Sequence, residues 1–335
     1  MEFHEPDSRW AGFGCSSYEH YLDRYLIRGK FHNKVPNAVT DAYITIEYLM
    51  AHAYYFYPMY DEALSKLLRT MEMAVKLRCK EIGIDIVNRK KTSDKGIVNH
   101  DFKTLIDKLV EAEPTKKLES ALHWSRRIRN FSMHPDANSY AEGTIIRAII
   151  SCVNTLNILF APKKHFETFT DTLEDYNMRL QKLNGNPLVL EFNKNRIIIQ
   201  NAEISDIFIN GGEEKNCVFI QPVLDDLKKE DNEDFRFASP LTIYAKNLVF
   251  SESTLSGFDC LSSCEFRIAL TDHPKNVKVF NEYKSYVENA NNERFNPIIS
   301  FINSERASAI ANFRYNYYHQ FIFVEENNPT EIQNH

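Results

Sequence analysis

Three residues that could together cleave RNA lie near residue 130: Arg129, Asn130 and, after three intervening residues, His134. Cleavage without a metal needs a group that moves the proton of the 2′-hydroxyl. It also needs a fixed positive charge that stabilises the phosphorane-like transition state. Histidine titrates near neutral pH, whereas arginine keeps its charge. Arg129 and His134 are therefore candidate catalytic residues, and Asn130 is a candidate for orienting them or the scissile phosphate.

The spacing of this pair requires the helix that carries it to end. Residues five apart on an ideal helix are about 140° out of phase, so Arg129 and His134 would face different sides of a continuous helix. Pro135 supplies the ending, because its ring disfavours helical backbone in the residue before it. We expect His134 at the helix C-terminus or in the following loop.

The segment that leads to the pair is basic. Between residues 116 and 130 it carries five basic residues against one acidic residue, Glu119, in a chain of formal net charge −6. A local excess of positive charge suits contact with phosphates. Besides the catalytic candidate Arg129, the four flanking residues are candidates for binding RNA: Lys116, Lys117, Arg126 and Arg127. The alternative, that these four are ordinary solvated helix residues, stays open.

Helical periodicity surrounds these residues. Apolar side chains recur at steps of three and four, and Pro or Gly ends several of the runs. A last run begins with a capping box at Ser139 and continues through Leu159. The sequence therefore predicts a compact helical bundle, with helices over residues 36–57, 60–83, 101–112, 116–133 and 139–159.

The motif and its setting resemble the HEPN superfamily (higher eukaryote and prokaryote nucleotide-binding). The similarity covers residues 36–162 and includes the R-N-x-x-x-H pattern, the proline after the histidine, and a helix that carries Met71-Glu72. The resemblance implies an endoribonuclease that uses no metal or other cofactor. It also implies a homodimer through the helical domain, with Arg129 and His134 of both protomers in one cleft. A toxin or antiviral-defence role, regulated through the C-terminal domain, is implied as well.

Some residues in this region have two interpretations. In similar proteins an acidic residue supports the catalytic arginine, so Glu72 is a candidate partner of Arg129 or Arg127. The alternative is a surface carboxylate. His123 and Trp124 are predicted to be packing residues. The whole motif has an alternative too, a non-catalytic HEPN adaptor that binds a nucleotide, RNA or a protein partner.

The second half of the chain is predicted to be mainly β, which makes the fold class α+β. The Asn-Gly-Asn-Pro run near residue 185 separates the two halves. Residues 1–35 are expected to be an N-terminal extension, 36–183 the helical domain, and 184–335 a β domain that senses a ligand or regulatory protein, selects substrate or drives assembly. Hairpins are predicted over 188–200 and 207–220, with further strands at 241–250, 266–270, 277–280 and 313–323.

Composition excludes several classes of protein. The chain has only 10 glycines in 335 residues, and it contains no Walker motif. Gly12 and Gly14 are followed by Ser17 where a dinucleotide fingerprint needs glycine, so neither a Walker-type NTPase nor a Rossmann dehydrogenase is expected. The acidic-basic run from Asp225 to Asp234 is expected to be a solvated loop.

Cysteine usage and hydropathy indicate a cytoplasmic protein with no membrane contact. The six cysteines are dispersed, and the N-terminal residues have neither a basic region nor an apolar stretch. Cys260 and Cys264 lack a second ligand pair at zinc-finger spacing, so we expect free thiols and no metal. The most apolar stretch, 144–160, is too short to span a bilayer and is interrupted by polar residues.

Overall fold

The computed structural model describes residues 4–88, 98–112, 116–132, 142–224, 237–289 and 292–323. Helices dominate the N-terminal part and strands the C-terminal part, which confirms the α+β class. The chain divides into two compact units: Met1–Pro162 with Tyr318–His335, called the helical unit, and Lys163–Tyr317, called the barrel unit. The boundary between the units lies between Pro162 and Lys163, whereas the predicted domain boundary lay after residue 183.

The helical unit confirms the predicted helices. The first of them ends at His52 instead of Tyr57, where the N–H of Ala53 bonds to the carbonyls of both Leu49 and Met50 and tightens the last turn. Ser139, the predicted cap of the last helix, lies outside the described residues. The elements are α1 (Arg9–Gly12), α2 (Tyr18–Tyr25), α3 (Asn37–His52), α4 (Pro58–Glu81), α5 (Phe102–Ala112), α6 (Lys116–Ser132), α7 (Glu142–Phe160) and the short 3-10 helix η1 (Tyr318–Gln320).

The N-terminal residues, expected to be an extension, form part of the core of this unit. Trp10 is fully buried, and its indole N–H donates to the carbonyl of Ala53 at 2.8 Å. Tyr21 is also fully buried, and it packs edge-on against Trp10. Aromatic side chains of α1 and α2 therefore supply apolar area that α3 and α4 would otherwise expose.

The segment before α3 is held by α7. The side chain of Asn157 accepts from the N–H of His32 at 3.1 Å and donates to the carbonyl of Lys30 at 2.9 Å. The His32 ring is buried, with Nε2 2.7 Å from the carbonyl oxygen of Asn157 and Nδ1 accepting from the N–H of Lys34. These contacts fit a neutral ring, and burial lowers the pKa of His32.

Acidification is expected to destabilise the wild-type protein more than a His32→Gln variant. In the unfolded chain His32 regains its ordinary pKa of 6.5 and takes up a proton that the folded chain does not bind. The contribution of His32 to stability is thus fully present above about pH 6.5 and declines as the pH falls below that value. Urea unfolding at several pH values, followed by tryptophan fluorescence, measures the stability of the helical unit. His32 and both tryptophans of the chain, Trp10 and Trp124, belong to that unit. Equal pH dependence in both proteins would contradict the prediction.

The barrel unit is built on six antiparallel strands that close into a barrel, since β1 pairs with both β2 and β6. Both predicted hairpins are confirmed, and their turns use left-handed backbone at Asn193 and Lys194 and at Gly211 and Gly212. The elements are α8 (Lys163–Gln181), β1 (Leu188–Phe192), β2 (Asn195–Asn210), β3 (Glu213–Pro222), β4 (Leu241–Phe250), β5 (Thr254–Asp259), β6 (Glu265–Leu270), α9 (Pro274–Glu288) and α10 (Asn292–Tyr317).

Helix α8 and the turn after it belong with the barrel, because Asn177 in the helix and Asn184 in the turn form hydrogen bonds with the edge of β2. Beyond Ile199, β2 has no partner in β1. The amide of Asn184 bonds there to both the N–H and the carbonyl of Ala202, at 3.0 and 2.9 Å, and Asn177 does the same for Ile204. These four hydrogen bonds satisfy backbone groups that a strand edge would leave open. Leu180 and Leu183 join the apolar cluster of the barrel.

Two predicted strands are wrong. Residues 277–280 lie in α9, where Phe280 and Tyr283 form a helical stripe that packs with Val223. Residues 313–317 lie in α10 and 318–320 in η1. Phe313 and Tyr317 are four residues apart, so one helix face brings both rings against Tyr244 of β4. Apolar residues four apart fit both the two-residue period of a strand and the i, i+4 spacing of a helix. The sequence pattern was therefore ambiguous in this segment, and packing against the barrel stabilises the helix.

The expectations about a membrane span and about the charged run are addressed as follows by the described residues. Within the described residues, no helix has both the length and the apolar character needed to cross a bilayer. The run from Asp225 to Asp234 lies outside the described residues.

Candidate functional site

Arg129 occupies the face of α6 that packs on the helical bundle. Leu118, Leu122 and Ser125 are buried at spacings of four and three residues, and Arg129 follows four residues later on the same stripe. Helix α6 packs against α4, α5 and α7. The position that would carry the next core residue therefore carries a guanidinium group, which is directed at α4 near the end of α6.

Glu72 of α4 receives this guanidinium. Nη2 of Arg129 lies 2.6 Å from Oε2 of Glu72, and the two side chains are 31% and 17% exposed. The other oxygen, Oε1, accepts from Nζ of Lys76 at 2.7 Å. One carboxylate thus holds two cations, and such a partly shielded ion pair fixes the Arg129 side chain more firmly than a fully exposed one.

The contact resolves the two interpretations of Glu72. It is a partner of Arg129, and within the described part of the chain its ion pairs are with Arg129 and Lys76 rather than with Arg127. Lys76 is a contact that the sequence analysis missed. The sequence spacing could have predicted this contact, because a glutamate followed four residues later by a lysine is a common helical ion pair.

The neighbouring candidates differ in exposure. Arg127 and Asn130 are exposed, whereas Arg126 is half-buried. The Nε atom of Arg126 is buried and has no hydrogen-bond partner within the described part of the chain. Lys116 and Lys117 lie in the first turn of α6, but their side chains are outside the described residues. Arg127 and Asn130 are thus the candidates that a large ligand can reach directly.

His134 also lies outside the described residues. Helix α6 runs to Ser132, so Arg129 sits in its last turn as predicted. Where the His134 ring lies relative to Arg129 stays a prediction.

His123 has a partner of its own within the bundle. Its Nε2 lies 3.3 Å from Oδ1 of Asp107 on α5. The side chain is 20% exposed, and Trp124 beside it is half-buried. His123 thus contacts α5 from α6, in agreement with its predicted packing role.

Burial makes three of the six thiols poor nucleophiles. Burial raises the pKa of Cys152 to about 12 and also raises the pKa of Cys217 and Cys260, so these thiols stay protonated near neutral pH. Among the residues that the structure describes, no three His, Cys, Asp or Glu side chains are grouped so as to hold a metal ion.

Comparison with protein-family models, curated proteins and solved structures found no match to this chain.

Proposed function

We propose that this chain is a metal-independent endoribonuclease of the HEPN type. The observation that carries the proposal is the ion pair between Arg129 and Glu72, because it fixes the motif's arginine in the last turn of α6, a few residues before His134. A structural clamp alone would not require the adjoining Arg126, Arg127 and Asn130, which add positive charge and a hydrogen-bonding amide at the same helix end.

In the proposed reaction, His134 accepts the proton of the 2′-hydroxyl, whose oxygen attacks the adjacent phosphorus. The bond from phosphorus to the 5′-oxygen breaks, which leaves a 2′,3′-cyclic phosphate, and His134 returns the proton to the departing 5′-oxygen. The guanidinium of Arg129 stabilises the charge that develops on the phosphoryl oxygens. Glu72 does not touch RNA in this scheme and acts by positioning Arg129. Asn130 orients the phosphate, while Arg126, Arg127, Lys116 and Lys117 bind the flanking strand.

The setting follows from the resemblance and is part of the same proposal. The active form is a homodimer through the helical unit, so that Arg129 and His134 of both protomers line one cleft. The protein acts in the cytoplasm as a toxin or antiviral-defence effector, and the barrel unit keeps it inactive until a signal arrives.

Incubation of the purified protein with total RNA in EDTA tests the proposal. Wild type is expected to cleave RNA, by itself or once cell extract supplies the activating signal, and His134→Ala is expected to add no cleavage to that of the extract alone. The matched control is His52→Ala, which removes an exposed histidine from the end of α3. This control is expected to cleave like wild type.

Other outcomes would overturn the proposal. If wild type is as inert as His134→Ala, with and without added cell extract as a source of activators, the chain is an adaptor. If EDTA stops cleavage, the reaction depends on a metal. If His134→Ala cleaves as well as wild type, the motif is not the active site.

A further inference from the structure

A groove of about 420 Å³ lies on the outer face of the barrel, beside the start of α9. Its size falls in the range of pockets that hold small molecules, roughly 300–1,000 Å³. Strands β6, β1 and β2 form its base, and the segment after β6 forms one wall. The groove is built entirely from residues of the barrel unit, whereas Arg129 and Glu72 belong to the helical unit.

A row of three charged residues crosses one end of this groove. Glu191 on β1 lies directly opposite Arg196 on β2 and Arg267 on β6. Nε of Arg196 donates to Oε1 of Glu191 at 2.8 Å, and Nη2 of Arg196 bonds to the same oxygen. Nη1 of Arg267 is 3.8 Å from Oε2, which is too far for a hydrogen bond.

This row is suited to bind an anion. Two guanidinium groups share one carboxylate, which leaves a net charge of about +1 and holds both groups on the same face. Arg267 keeps its N–H groups available for a ligand, since its contact with Glu191 is long. Planar guanidinium groups bind phosphate oxygens through paired hydrogen bonds.

Beside the charged row, the groove has an apolar floor and a polar wall. Two residues along each strand from the charged row lies an apolar row that faces the same outer side of the barrel. Its members pair across the three strands: Val189, Ile198 and Ala269. The wall contains Thr271, His273 and Asn276. Oγ1 of Thr271 accepts from the His273 N–H at 3.3 Å and from the Asn276 amide at 3.1 Å, so the wall is braced by its own hydrogen bonds.

We infer that this groove binds a mononucleotide. The phosphate would lie on Arg267 and Arg196, and the flat base would cover the apolar floor formed by Val189 and Ala269. His273 and Asn276 offer polar groups to the base or sugar at the wall. The inference does not rest on the proposed nuclease activity, because it concerns residues of the barrel unit only.

Calorimetric titration of the full-length protein with adenosine 5′-monophosphate tests the inference, and inorganic phosphate serves as a second probe. The nucleotide is expected to bind the wild type, and phosphate alone to bind at least about tenfold more weakly, because it cannot bury apolar area on the floor. Arg267→Gln is expected to weaken nucleotide binding at least about tenfold through loss of a charge-assisted contact.

Two further variants separate the groove from general surface charge. Ala269→Phe fills the floor without changing charge and is expected to abolish nucleotide binding. Arg179→Gln is the matched control, because Arg179 and Arg267 are almost equally exposed, at 52% and 51%. Arg179 lies on α8, outside the groove, and it is also paired with a carboxylate, that of Asp175. The control is expected to bind like wild type. Thermal unfolding checks that each variant is folded.

The inference is overturned if wild type binds neither probe. It is also overturned if Ala269→Phe, shown to be folded, binds the nucleotide as wild type does, or if Arg179→Gln weakens binding as much as Arg267→Gln. Equal affinity for phosphate and nucleotide would also overturn the inference, because it would show an anion site without a subsite for the base. RNA cleavage is not measured in this experiment, so its outcome is independent of the test on His134.

Discussion

Arg129→Gln is expected to lower the rate of RNA cleavage about 10²- to 10³-fold. Removal of one preorganised donor from the site of charge development typically has an effect of this size. Single-turnover cleavage of a short labelled RNA in EDTA, with the protein in saturating excess over the RNA, measures the rate constant for the bound RNA without a contribution from product release. Arg28→Gln is the control, because Arg28 also pairs with a glutamate of the helical unit, Glu47, at 3.1 Å. The control should cleave like wild type.

The same assay tests whether Glu72 acts through Arg129. Glu72→Gln keeps the shape of the side chain but removes the charge that holds the guanidinium, so a loss of about tenfold or more is expected. Because the two residues act as a unit, the double variant should be no slower than Arg129→Gln alone. Full activity of Glu72→Gln, or losses that multiply in the double variant, would show that the ion pair does not position Arg129.

Phe266→Ala is expected to lower the free energy of unfolding by about 3–5 kcal/mol, the usual loss when a buried phenyl ring is replaced by a methyl group. Phe266 is fully buried in the barrel cluster, opposite Gly257 on β5. A Cβ atom at Gly257 would lie 3.0 Å from Cε1 of Phe266, so the ring fills the space above the glycine. Urea unfolding followed by far-ultraviolet circular dichroism measures the change.

Phe258→Ala is the control for this loss, since Phe258 is the neighbouring residue of Gly257 and is 41% exposed. The same chemical change at that position is expected to alter stability by less than about 1 kcal/mol. Similar losses in both variants would mean that the barrel interior is not the packed core that the structure shows.

Local periodicity in the sequence was sufficient to predict most elements. The helices α3 to α7 and strands β1 to β4 and β6 lie where apolar spacing and turn residues placed them. Strand β5 was missed, because Thr254–Asp259 offers few apolar residues. It is nevertheless a strand, since the barrel closes through it. For α9 and α10 the apolar spacing fitted a strand as well as a helix, and only contact with the barrel distinguished the two.

The sequence by itself determined the motif at Arg129, Asn130 and His134, the basic segment before it, and the change from helical to strand periodicity. These features depend on neighbouring residues and on the regular repeat of each element. The tertiary structure alone decided that Glu72 holds Arg129, that β1 meets β6, and that Arg196 and Arg267 share Glu191. Such contacts join residues distant along the chain, and local spacing does not specify which distant segments pack together.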